Sequence, residues 1–435
     1  MKISFCFAWV FVSFACSSLV ISDVLYVRAD AVNDPNQDGT FNFPFGTIQA
    51  AVDQAGDDTI IILPGTYLGS VVVTPNGRQS IRLMSEDPDD WAVIDNTKIE
   101  SNQGTPIFSI TCDPNLGVQN FTCEIRGFTL SGGVAEKGAA IYSRNVIFHL
   151  AQSRLVSNRA LSEGGGIYIK DGGGTIKNCI LSGNRAENGS AVYGENSFLK
   201  MHNCTLTGNC SFSADGAAIY FADCDSVDSV SLQNNILWRN KKKDIGSRNS
   251  IVDLQYNNIE GGYKGLGNIS KDPRFVSEGF WSGDPNTPED PNNVWQDGDY
   301  HLLSRGWRFD PRSGQWTWDS ETSPCLDSGN PGTLLGDEPM NLAVDPQNKW
   351  GCNKRINMGV YGGACQASIP PHNWALLSDL TNDGTVDIED LSEFVLIWRS
   401  VGKELYSDFN RDDNVDLVDF ALMNQDWNDK TSWRD

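Results

Sequence analysis

The chain has 435 residues, with 56 Asp and Glu against 33 Lys and Arg and a formal charge of −23. That balance argues against nucleic acid and anionic membranes as partners. It also repels a polyuronate, unless calcium bridges the two or a local basic patch overrides the field. Four scattered histidines (His149, His202, His301, His372) and the lack of a nucleophile elbow, zincin motif, phosphate loop or paired-cysteine zinc spacing remove most common catalytic classes.

Residues 1–22 carry one Lys, an apolar run and then small residues, the pattern of a signal peptide. Its removal leaves an exported chain at the cell surface or beyond, with nothing later apolar enough to enter a bilayer. It also leaves nine cysteines. Cys112 and Cys123 flank an excursion and are placed to pair. Cys179 and Cys204 share one repeat position and read as a small apolar ladder. Cys325, Cys352 and Cys365 offer one further pair.

Residues 23–28 read as a first strand. TIQAAVDQA (47–55) places Ile48, Ala51, Val52 and Ala55 at i, i+3, i+4 and i+7, the pattern of an amphipathic helix between Gly46 and Gly56. Short aliphatic strands come next, at 59–63, 71–74 and 80–85.

From 123 to 240 the chain keeps a period of about 25. Leu130, Leu155, Leu181, Leu206 and Leu237 recur at 25, 26, 25 and 31. Tyr142, Tyr168, Tyr193 and Tyr220 recur at 26, 25 and 27, and Asn158, Asn184, Asn209 and Asn240 come after the Leu positions. A unit this short cannot close a core alone and must stack on its neighbours. Strands of a few residues bounded by Gly, Asn and Asp, with no helix in each unit, predict one turn of a parallel β-helix per repeat. Rungs lie about 4.8 Å apart, so equivalent residues stack. Leu should stack inside, and Asn at a turn, in a left-handed backbone. The 47–55 helix should cap the N-terminal end.

Stacking also aligns the residues just after each Tyr. Arg144, Lys170, Glu195 and Ala222 stand two residues on; Asn145, Asp171, Asn196 and Asp223 stand three on. Lys170, Asp171, Glu195 and Asp223 then fall within about two rungs, roughly 10 Å. They are the candidate catalytic set, carboxylates at glycosidase separation beside a basic residue. The other reading of the same column is a turn after the strand, where Asn and Asp belong.

The solenoid spans 23–276 and its last coils lose the period. Residues 277–368 form an irregular C-terminal cap, in which Trp307, Trp316, Trp318 and Trp350 either line a sugar platform or plug the open end. Next comes a short diproline-bearing linker at 369–374. In 375–435, Asp379, Thr381, Asp383, Thr385, Asp387 and Asp390 occupy a 12-residue loop, and Asp408, Asn410, Asp412, Asn414, Asp416 and Asp419 repeat it 29 residues later. Such loops give a hard cation its oxygens, with a backbone carbonyl at the seventh position, and each runs into an apolar-periodic helix. Ca²⁺ is the expected cofactor. Thr381 is a weak ligand, and Asp413 stands where glycine is expected.

Two resemblances add to this reading. NCILSGNRAENGSAVY (178–193) and NCTLTGN (203–209) resemble the right-handed parallel β-helix repeats of the pectate-lyase-like superfamily. The 44–67 run is similar to the opening of exported β-helix proteins of planctomycete-like bacteria, and 323–331 and 355–363 to their C-terminal caps. The loop pair resembles a type I dockerin, which implies a cohesin-like partner and an association with polysaccharide breakdown. The expected fold is mainly β, a right-handed parallel β-helix with a cap helix and a small α-helical loop-pair domain. The expected function is polysaccharide binding or a surface scaffold with calcium-dependent docking; the alternative is a polysaccharide lyase or glycoside hydrolase.

Overall fold

The computed structural model describes residues 24–31, 34–101, 104–116, 121–226, 230–284, 287 and 293–432; the expected signal peptide lies outside them. The repeat is a parallel β-helix. Among the described residues the coils build parallel sheets of nine, seven and eight strands, and four coils add a short strand to a fourth sheet.

The predicted ladders stack in register. Leu130 pairs with Leu155, Leu155 with Leu181, Leu181 with Leu206 and Leu206 with Leu237, all fully buried. Each such side chain is worth about 1.5–3 kcal/mol of burial. The Tyr142, Tyr168, Tyr193 and Tyr220 rings lie nearly parallel, with centroids 5.4, 5.6 and 5.5 Å apart.

The Asn ladder forms, but not in a left-handed backbone. Asn158 N and Nδ2 both donate to Asn184 Oδ1 at 3.0 Å, and Asn184 N and Nδ2 repeat this to Asn209. Positive φ falls one residue earlier, on Ser157, Gly183, Gly208 and Arg239. The turn reverses there, which leaves the amide of the next residue free to face inward and serve the adjacent coil. A second ladder, Asn235 to Asn257 to Asn268, continues the column of Cys179 and Cys204.

Helix α1 (Ile48–Gln54) is capped by Thr47 and buries Ile48, Ala51 and Val52 against the first strands, as expected of an end cap. The buried Arg78 donates through Nη1 to the carbonyls of Val52 and Ala55 at the helix's C-terminal end.

Residues 297–368 lie along the flank of the solenoid instead of plugging its end. Asp297 pairs with Arg154 at 2.7 Å. Asn178 Nδ2 donates to the carbonyls of Val360 and Gly362, Asn203 Nδ2 donates to that of Asn357, and Gly359 N donates to the Asn234 carbonyl. Asn178, Asn203 and Asn234 are left-handed, one per coil, so their amides turn outward to grip this strap. Trp307 packs with Leu342 and Ile369 in a small core of the strap itself, while Trp318 and Trp350 are exposed.

Residues 369–374 are not a free tether. Ile369 bridges to Trp307, and Trp374 is buried with Nε1 donating to the Ser323 carbonyl at 3.0 Å. A large apolar ring in a short connection finds its partner in the strap. The anticipated Cys112–Cys123 disulfide is not formed: Cys123 is a thiol in the solenoid core, in register between Ile81 and Phe148. No disulfide joins Cys325, Cys352 and Cys365 either.

Candidate functional site

The candidate column lies at the end of the strands that carry the tyrosines. Arg144, Lys170, Glu195, Ala222 and Arg248 pair in succession. Beyond them Asn145, Asp171, Asn196, Asp223 and Asn249 all have positive φ, between 46° and 57°. This is a left-handed turn repeated on five coils, the conformation that short polar side chains tolerate best.

Every carboxylate in it is engaged. Glu195 Oε1 accepts from Lys170 Nζ and Oε2 from the Tyr168 hydroxyl, both at 2.6 Å. The Lys170 bond, then that of Tyr168, holds the Glu195 carboxyl below its usual range, while the same Lys170 bond raises Lys170. Asp171 accepts from Asn196 Nδ2 at 2.8 Å and lies 3.9 Å from Arg144 Nε. Asp223 accepts from Arg248 at 2.8 Å and Asn249 Nδ2 at 3.1 Å, and the Arg248 bond lowers its pKa. Thus Lys170 and Glu195 come together as predicted, and Asp171 and Asp223 are each tied to the coil beside them. Tyr168 and Arg248 complete the network. The tyrosine period is visible in the sequence; the aim of its hydroxyl at the next coil is not.

The C-terminal loops share one hydrogen-bond plan. In the first, Asp379 accepts from the N–H groups of Asp383 and Gly384, Asp383 from Thr385, and Asp390 from Thr381 and Asp387. In the second, Asp408 accepts from Asp412 and Asp413, Asp412 from Asn414, and Asp419 from Phe409, Asn410 and Asp416. Asp387 and Asp416 are the N-caps of α2 (Ile388–Leu396) and α3 (Leu417–Gln425), each in a capping box with the last aspartate of its loop. Thr385 and Asn414 are the seventh residues. Position six is left-handed in both, at Gly384 (φ 93°) and Asp413 (φ 67°).

The chemistry of these loops fits a hard cation. Asp379, Asp390, Asp408 and Asp419 are buried, and among the described residues none has a basic side chain within ion-pair distance. Burial pushes the Asp379 carboxyl up to about 7 and raises Asp390 and Asp408. A divalent ion would offset that cost. Their oxygens now face backbone amides: among the described residues no three His, Cys, Asp or Glu side chains gather as a ready-made metal cluster. Thr381 donates its hydroxyl to Asp390 at 3.1 Å.

The fourth residue of each loop, which the sequence does not single out, faces the strap, and Asn382 reaches the end of the solenoid as well. Asn382 Nδ2 donates to the carbonyls of Gly267 and Ser328, and Arg411 to those of Pro331 and Lys354. Both are left-handed, and nothing in their local sequence marks so distant a contact.

Residues 69–237 match the family model described as a right handed beta helix region. No curated protein matches the chain. Among solved structures, pectin methylesterase PemA from Erwinia chrysanthemi is 13% identical, with a TM-score of 0.39, over 63% of this chain and 85% of that one. The pectin methylesterase from Aspergillus niger is 14% identical, with a TM-score of 0.36, over 54% and 76%.

Proposed function

We propose that this right-handed β-helix protein is exported and works by binding and positioning. In this reading the solenoid holds polysaccharide or serves as a surface scaffold. The C-terminal loop pair, loaded with Ca²⁺, docks onto a cohesin-like partner. One observation carries it: two loops of the same plan lead into helices whose outer residues are apolar and exposed. Ile388, Leu396 and Leu417 are 66%, 71% and 72% exposed, with Val395, Val418 and Phe420 beside them. So much apolar surface on two nine-residue helices is costly in water and suits a protein partner. The loops would hold the ion through Asp379, Asp383, Asp390 and their counterparts; the ion would supply the charge that keeps the buried carboxylates ionised.

The solenoid column speaks against a glycoside hydrolase. A glycosidase needs one carboxyl held protonated near neutral pH as general acid. Glu195 and Asp223 are instead both held low by cations.

The test is calorimetric titration of the full chain with a cohesin domain, in calcium and in chelator. Binding in calcium that is lost in chelator and in Leu396→Asp with Leu417→Asp is the expected result. Calcium-independent binding, or none, overturns the docking reading. Reducing-end and unsaturated-product assays on the glycans it binds should stay at blank; cleavage abolished by Asp171→Asn with Glu195→Gln would restore the lyase or glycosidase alternative.

A further inference from the structure

The loop that opens the strap builds a second feature on the same flank. Phe280–Trp281 pairs antiparallel with Trp295–Gln296. The Trp295 ring lies on Gly183 and Gly208, left-handed glycines of successive coils. A Cβ there would stand 2.2 and 2.0 Å from the ring, so any side chain would expel the indole. The Trp281 and Trp295 centroids are 5.3 Å apart, tilted by 57°. Both indole N–H groups are spent, Trp281 Nε1 on the Gly208 carbonyl at 2.9 Å and Trp295 Nε1 on Asp297 at 3.1 Å. What the half-buried Trp281 still offers a ligand is ring surface, and Phe280 beside it is 61% exposed.

Basic residues border these rings. Arg185 lies 5.0 Å from the Trp281 ring centre. The run 239–243 holds four basic residues in five, in a chain of net charge −23. Arg239 pairs with Glu278 at 2.7 Å and Lys243 with Asp215 at 3.7 Å. Lys241 and Lys242 are exposed and, among the described residues, have no acidic side chain within ion-pair distance. A groove of about 510 Å³ runs between Lys241 and Arg239 on one side and Phe280, Trp281 and Trp295 on the other.

We propose that this groove binds an anionic polysaccharide, its carboxylate or sulfate groups on Lys241 and its sugar faces on Phe280 and Trp281. The proposal rests on the polysaccharide-binding reading above and names the ligand class and the place. The surrounding acidic field repels a polyanion elsewhere, so a charge-assisted contact at one basic rim confines it to the groove. A ring that has no free donor accepts a sugar through its apolar C–H face, and so fixes orientation without choosing between carboxylate and sulfate.

Affinity electrophoresis of the full chain in gels containing polygalacturonate, dextran sulfate or uncharged dextran tests this, with calcium held constant. The expected result is retardation by at least one polyanion and not by dextran, with affinity at least about tenfold weaker in both Lys241→Glu and Phe280→Ser. The preferred polyanion tells uronate from sulfate. Circular dichroism checks that each variant is folded, and Phe280, being exposed, is the safer substitution. Equal retardation by dextran, or weakening in only one variant or neither, overturns the groove while polysaccharide binding stands. No retardation by any of the three overturns the groove and leaves the scaffold reading of the solenoid.

Discussion

Arg355 and Asp379 meet across the seam between the strap and the first C-terminal loop. The fully buried guanidinium donates through Nη1 to the Asp379 carbonyl at 2.8 Å and to that of Leu376 at 3.2 Å. Its Nε and Nη2 hold the carbonyls of Gly329 and Ser328 on the other side. One side chain therefore satisfies four backbone acceptors, two from the strap and two from the loop segment. Arg355→Met should destabilise the protein by about 3–5 kcal/mol. Arg355→Lys should recover little, because a point charge cannot replace the fork. Urea denaturation measures the loss, and limited proteolysis should release residues after 374 first. A C-terminal domain on a free tether would leave both readouts unmoved.

Asp413 is held at an unfavourable φ in the second loop, where the first has Gly384. Asp413→Gly should stabilise the calcium-loaded loop pair by about 0.5–1 kcal/mol. Differential scanning calorimetry in excess calcium checks this. Chelation should melt α2 and α3 in both proteins, read as lost helical ellipticity.

Asn184 carries both directions of its ladder. It accepts from Asn158 N and Nδ2 and donates to the Leu155 carbonyl at 2.9 Å and to Asn209. Asn184→Ala strands several buried polar groups and should cost about 2–4 kcal/mol. Asn240, at the partly buried end of the same ladder, should cost less on the same change. Chemical denaturation of the two variants side by side gives the comparison.

Asp244 sets a pH dependence. Burial pushes its carboxyl up to about 7, against the Asn240 amide that donates to it at 2.8 Å. Between about pH 4 and pH 7 the folded chain keeps a proton that the unfolded chain gives up. Its contribution to stability is thus whole below about pH 4 and is lost as pH rises through about 7. Each unit of such a shift is worth about 1.4 kcal/mol. Asp244→Asn should be more stable than the parent at about pH 8 and nearly equal to it at about pH 4.5, which urea titrations at the two pH values would show. Asp327, raised to about 7 by the same cause, should leave a residual slope in the variant.

Periodicity makes the inside of the solenoid readable. Leu130 to Leu237 and Tyr142 to Tyr220 each recur because a residue touches its equivalent one coil away, and that contact writes itself into the spacing. The left-handed turns stand one residue before the Asn ladder, since a period marks a column without saying which member bends the backbone. For Cys123 the flanking loop misleads, and its column between Ile81 and Phe148 is the better guide. The strap escapes a sequence reading because Asn178 finds Val360 at a separation of 182 residues, and no local pattern records such a partner. The glycines under Trp295 look like ordinary turn residues until the indole lies on them. The catalytic set is legible as a column, but Lys170 and Tyr168 closing on Glu195 is a matter of side-chain direction. The loop oxygens, by contrast, stand in plain order, because one short segment supplies every one of them.

The strap has a last consequence, for how the molecule comes apart. A stack of coils is a one-dimensional array in which each unit feels only its neighbours and the ends fray first. Here Arg154, Asn178, Asn203 and Asn234 bind successive coils to one continuous segment, which Arg355 fastens in turn to the loop pair. Losing any one of these four coils then means peeling the splint from the others. These four coils, the splint and the loop pair become a single cooperative unit, and because the ribosome makes the splint after the coils, that unit closes only once the splint has emerged.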